Sequence, residues 1–145
     1  MEAMYPYFLV VHLLCAIIFL GYIFTDVILL TPIRKILGDE IADKFFKIIS
    51  QRGTKIMPFC VLLLVITGGA MMTRWINFEL GFFNTKLQIL LSIKIFLALL
   101  IVLMVITSLS FKFFIKKKNP LANIIHPIAL FLGFFIVIFA KLAFY

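Results

Sequence analysis

Charge is what this sequence has least of. Asp, Glu, Lys and Arg make up 14% of its 145 residues, where a soluble domain carries about a quarter. Cysteine is confined to Cys15 and Cys60, both inside apolar runs. A disulfide framework uses spaced, exposed cysteines, so none is expected, and both read as small buried hydrophobes. There is no nucleophile elbow, no Gly-rich phosphate loop and no pair of cysteine doublets, which removes the common hydrolase, nucleotide and zinc templates. Gly68-Gly69 after Thr67 reads instead as a place for close helix packing. What is present is apolar: 65% of the residues, with mean hydropathy +1.23. A soluble core of this size could not hide so much apolar surface, so lipid is the expected solvent.

The net charge of +8 would suggest nucleic acid in a soluble protein. Here the charges fall between apolar runs. They report topology and contact with anionic headgroups instead, and no nucleic-acid partner is expected.

A spanning helix needs roughly 20 mostly apolar residues. Four segments qualify: Tyr7 to Leu30, Met57 to Thr73, Leu87 to Phe111 and Asn123 to Phe144. The expected fold is therefore all-α, an integral membrane four-helix bundle forming one domain over residues 1–145. The first span follows Glu2 rather than a basic region and has no small-residue cleavage site after it, so it does not read as a signal peptide.

Between the first two spans, Asp39 to Ser50 places Ile41, Phe45, Ile48 and Ile49 at helical spacing among charges. This predicts a short amphipathic helix, lying on the inner leaflet or leading into the second span. Gly53 is a place for it to bend. Pro58 falls at the first turn of the second span, where proline is tolerated.

Basic residues set the orientation. Arg34, Lys35, Lys44, Lys47, Arg52 and Lys55 follow the first span, and Lys112, Lys116, Lys117 and Lys118 follow the third. The loop after the second span has only Arg74 and Lys86. Both termini are thus expected outside, on the periplasmic face of a bacterial inner membrane. Tyr5, Tyr7, Trp75 and Tyr145 lie at the outer ends, as an aromatic belt would.

Ionisable groups at membrane depth are costly, and each is a functional candidate. At about 1.5 Å per residue, His12 lies roughly 7 Å below the outer end of its span and Lys94 roughly 10 Å below. Asp26 and His126 lie roughly 6 and 5 Å above the inner ends of theirs. His12 and Lys94 define an outer layer, and Asp26 and His126 an inner one. The histidines differ in depth by roughly 20 Å, which excludes a single haem held by both within one protomer.

His12 shares a helix face with Cys15, Phe19, Tyr22 and Asp26, while Ala16 and Gly21 allow close approach. It reads equally as a haem or metal ligand and as a histidine bonded to a neighbouring helix. Lys94 reads as a partner for an anionic group such as a haem propionate, as a second ligand, or as a snorkelling lysine. Asp26 and His126 read as a proton-relaying pair or as solvated interfacial residues. Lys141 is expected to snorkel. Met4, Met71, Met72, His12 and Cys15 lie toward the outer face, and such soft ligands suit Cu(I).

The run His12-Leu13-Leu14-Cys15-Ala16-Ile17-Ile18-Phe19-Leu20-Gly21, with Pro32 at the helix exit, resembles the first helix of the CopD-like and HemJ-like four-helix membrane proteins. Thr67-Gly68 near the end of the second span and Lys94 early in the third add to the likeness. Phe19-Leu20-Gly21-Tyr22 stands where HemJ proteins carry Trp-Met-Ala-Gly. Ser108 and Ser110 stand where copper-resistance members often have histidines. The resemblance implies a four-helix bundle that binds haem b or a porphyrin, with His12 as axial ligand and Lys94 beside it. It also implies, as the alternative, copper transport or tolerance with Cu(I). The remaining expectations are a membrane redox partner and a homodimer in which two His12 residues share one haem. A non-catalytic subunit or assembly factor of a membrane complex is the third class.

Overall fold

A computed structural model describes residues 2–117 and 119–145; Lys118 of the basic loop lies outside the described residues. The chain is all-α, with no β-strand among the described residues. Its helices are α1 (Tyr5–Phe24), α2 (Ile33–Leu37), α3 (Asp39–Met72), α4 (Lys86–Ser110) and α5 (Ala122–Leu142). Four of these, all but α2, are long and apolar enough to cross a membrane. That set is compatible with a four-helix membrane bundle. Two compact units divide the chain, one ending at Gly68 and one running from Gly69 to Tyr145.

In the first unit, Pro6 sits in the first turn of α1, where its missing N–H costs nothing. The helix then loosens into a π-turn over Thr25–Leu29, which carries Asp26. The Leu30 amide closes it by donating to the Thr25 carbonyl at 3.0 Å. After α2, Gly38 turns the chain at φ +83°, a left-handed conformation that suits glycine. Arg34 reaches across this corner and pairs with Asp39 at 3.0 Å and Asp43 at 2.7 Å. The bridges are exposed, so they orient the corner more than they stabilise it.

The predicted amphipathic helix is the first third of α3 and runs without a break into the second span. Gly53 and Pro58 both lie inside that single 34-residue helix. At about 1.5 Å per residue it is about 51 Å long, well beyond the roughly 30 Å of hydrocarbon. The helix start expected near Pro58 is not found: the helix is already continuous there. The reason is tertiary: one buried stripe runs along the helix through Ala42, Gly53, Cys60 and Thr67. Ala42 is fully buried, whereas Ile41, Phe45 and Ile48 are exposed. The packed face is thus offset by one residue from the stripe that periodicity picks out.

In the second unit, the segment between α3 and α4 is an ordered cap. Ile76, at 2% exposure, packs with Leu91 and Ala143, and with Trp75, Leu87 and Leu90. The Trp75 ring meets Phe144 edge-on at 5.4 Å. The cap hangs on Gln88. The Thr85 hydroxyl accepts from the Gln88 amide at 3.2 Å, which caps α4. The Gln88 side chain in turn accepts from the Asn84 amide at 2.9 Å, a variant of the reciprocal capping box. Its Nε2 donates to the carbonyls of Trp75 at 3.2 Å and Leu80 at 3.1 Å. One buried amide therefore closes three backbone groups of the cap.

The start of α5 is one residue earlier than the sequence suggests. Asn119 Oδ1 accepts from the Leu121 amide at 2.9 Å and the helix begins at Ala122. His126 consequently lies in the second turn, not at a cap, and Pro127 lies inside the helix. Lys141 stretches toward the C-terminus, with Nζ 4.4 Å from the centre of the Tyr145 ring and 3.3 Å from its hydroxyl. That is the expected snorkelling posture.

Gln88→Ala would leave the Trp75 carbonyl and the Asn84 amide without the partner that Gln88 supplies, while the Leu80 carbonyl keeps the Asn84 side-chain amide at 3.1 Å. A loss of about 2–4 kcal/mol is expected, read as a lower melting temperature in mild detergent. Gln88→Glu, which loses the donor, is expected to be no better tolerated.

Candidate functional site

The inward face of α1 is the one its sequence marks out. Cys15, Phe19 and Ile23 are buried, and His12, Tyr22 and Asp26 are half-buried. Two contacts show what this face meets. His12 bonds to Thr67 of α3. Buried Cys15 and Cys60 lie between this contact and the next on their two helices. The Tyr22 phenol lies over Gly53. As α1 residue numbers rise, their α3 partners fall, so the two helices pack antiparallel along one polar seam.

At one end of the seam, His12 Nδ1 is 2.9 Å from Thr67 Oγ1. The Thr67 hydroxyl itself donates back to the Leu63 carbonyl at 2.6 Å. A hydroxyl has one proton. With that proton on the Leu63 carbonyl, the oxygen accepts from His12 Nδ1–H and the lone pair of the neutral imidazole is on Nε2; with it on His12, the tautomer is the reverse. A hydrogen-bond partner on the other ring nitrogen is what metal-ligating histidines usually possess.

Gly68 completes the arrangement. A methyl group there would stand 3.1 Å from His12 Cε1 and 3.6 Å from Nδ1. The glycine lets the ring lie flat against the backbone of α3, which is the close packing expected of Thr67-Gly68. At the other end, a methyl on Gly53 would come within 2.6 Å of Tyr22 Cζ. Asp26 is close enough for its charge to act on the Tyr22 phenol.

Of the residues singled out in the sequence, His12, Cys15 and Asp26 belong to the first unit. Lys94 and His126 belong to the second, and both are half-buried there. Glu79 is the only carboxylate in residues 69–145, so no ion pair within the second unit reaches Lys94. Sequence reasoning missed Cys60 as a partner for Cys15 and Thr67 as the orienting group for His12. The signal for Thr67 was present, because a threonine beside a glycine in an apolar helix offers a hydroxyl where another helix can approach. For Cys60 no signal exists without the helix register.

Among the described residues, no group of three His, Cys, Asp or Glu side chains is gathered to hold a metal ion. No family model, curated protein or solved structure matches the chain. The CopD-like and HemJ-like likeness therefore rests on the residues quoted for it alone.

Gly53→Ala should push the Tyr22 ring aside at a cost of about 1–3 kcal/mol. In a Tyr22→Ala background most of that cost should vanish, since the two residues touch and their effects are coupled. Thermal unfolding of the four proteins of this cycle checks it; equal penalties in both backgrounds would place Tyr22 elsewhere.

Proposed function

We propose that this is a redox-active membrane protein that binds haem b or a porphyrin through His12. The observation that carries the reading is the hydrogen bond between His12 Nδ1 and Thr67; in the tautomer with the proton on Nδ1, the lone pair is on Nε2. The donor count favours haem over a bare ion. A metal ion held by protein alone asks for three or four ligands, and among the described residues no three His, Cys, Asp or Glu side chains are gathered. Haem brings four nitrogens of its own and asks the protein for an imidazole.

In this reading the residues have separate tasks. His12 supplies the axial nitrogen. Thr67 holds the ring in one tautomer and strengthens its donor character. Gly68 sets the ring against α3. Bound haem would supply one-electron chemistry at membrane depth. The proposal extends to a bacterial inner membrane with both termini outside, supported by the lysines and arginines between the first and second and between the third and fourth spans. A homodimer sharing one haem between two His12 residues, and a membrane redox partner, complete it.

The test is the visible spectrum of the protein purified in mild detergent, before and after haem reconstitution. A Soret band is expected, lost in His12→Ala. Thr67→Val should keep the band but weaken haem binding about 10–100-fold. Lys94→Ala tests the role that the sequence suggests for that lysine, by whether the band shifts. No Soret band after reconstitution sinks the haem reading. Stoichiometric Cu(I) binding in its place would establish the copper alternative, and a colourless protein that co-purifies with constant partners would establish the assembly role.

A further inference from the structure

Cys15 and Cys60 are the only cysteines of the chain, and the fold sets them against each other. They are 6% and 4% exposed and not joined. The register sets them in the same layer of the seam. His12 opposite Thr67 and Tyr22 opposite Gly53 bracket the pair from either side. A disulfide needs Cα atoms about 4.4–6.8 Å apart. Helices reach such a separation only where small residues line the contact. Here Gly53 and Gly68 lie on the α3 side of the same seam, each in contact with an α1 side chain that a methyl group would displace.

Depth selects the chemistry. Cys15 lies ten residues inside α1 and Cys60 twelve residues from the end of α3, or about 15 and 18 Å along their helices. Both are near the middle of a hydrocarbon layer of about 30 Å. Charged thiols such as glutathione do not enter that layer. An uncharged quinone dissolved in the lipid does.

We propose that Cys15 and Cys60 are a reversible dithiol–disulfide pair that delivers two electrons to a lipid-soluble quinone. Two S–H bonds break and one S–S bond forms between α1 and α3. The two electrons and two protons pass to the quinone carbonyl oxygens, giving the quinol. Reduction by an uncharged dithiol, which becomes a disulfide in turn, reverses the step. The disulfide joins α1 to α3 one helical turn inward of His12. The proposal rests on the thiol seam alone and does not require haem.

The full chain in lipid nanodiscs is treated with a short-chain benzoquinone, quenched in acid, denatured and labelled with a maleimide. Two labels per chain are expected before treatment and none after, with one quinol formed per chain and an intact mass lower by two hydrogens. Dithiothreitol should restore both labels. Cys15→Ser and Cys60→Ser should each keep their one label through the treatment, which needs only that the remaining thiol be counted. Retention of both labels in the parent protein overturns the proposal. So does a mass raised by a quinone adduct, or a disulfide found only between chains. His12→Ala, expected to lose the Soret band, should still form the disulfide, so the two proposals fail separately.

Discussion

Inside a bilayer no water is available to an amide or a hydroxyl, so each must find its partner within the chain. The local structure follows from that constraint. The threonines show it most clearly. Thr54, Thr67 and Thr107 each donate to the carbonyl four residues earlier in their own helix, at 2.7, 2.6 and 2.8 Å. This closes the hydroxyl locally and asks nothing of other helices. Thr67 differs only in that its oxygen also bonds to His12. That second bond orients the imidazole.

Gln88 is the same constraint met at the edge of the helical region. Three backbone groups of a non-helical cap would otherwise face apolar neighbours, and one side-chain amide closes them. That frees the segment between α3 and α4 to pack Ile76 and Trp75 as core residues. Trp75 thus does more than mark a headgroup boundary, the role its position in the sequence suggests. The charge balance of the two units differs in the same direction. Arg34 finds Asp39 and Asp43 across the Gly38 corner. The second unit has eight lysines and arginines against Glu79, a surplus of positive charge that suits anionic headgroups.

Much of this was legible in the sequence, for reasons that also mark where legibility stops. Long uncharged runs set the four spans because lipid demands length and apolarity, which are local properties. The inward face of α1 could be read from the spacing of His12, Cys15, Phe19, Tyr22 and Asp26, since 3.6-residue periodicity is local as well. Helix register is not. Nothing in the order of residues says that position 15 faces position 60, or that Ala42 rather than Ile41 heads the packed stripe of α3. The continuity of α3 was hidden for a related reason. Gly53 and Pro58 are breakers by intrinsic preference, but Gly53 is occupied as a contact beneath Tyr22 and the packing holds the helix through both. The Thr85–Gln88 pair was visible as a capping signal, although its reach to Trp75 and Leu80 was not.

The unbroken α3 has a mechanical consequence. A hinged segment absorbs a twist, whereas a continuous helix hands it on. A displacement near Ala42 is passed to Thr67 along one continuous helix. The stiffness that carries the imidazole's partner also makes its alignment answerable to events at the far end of the rod.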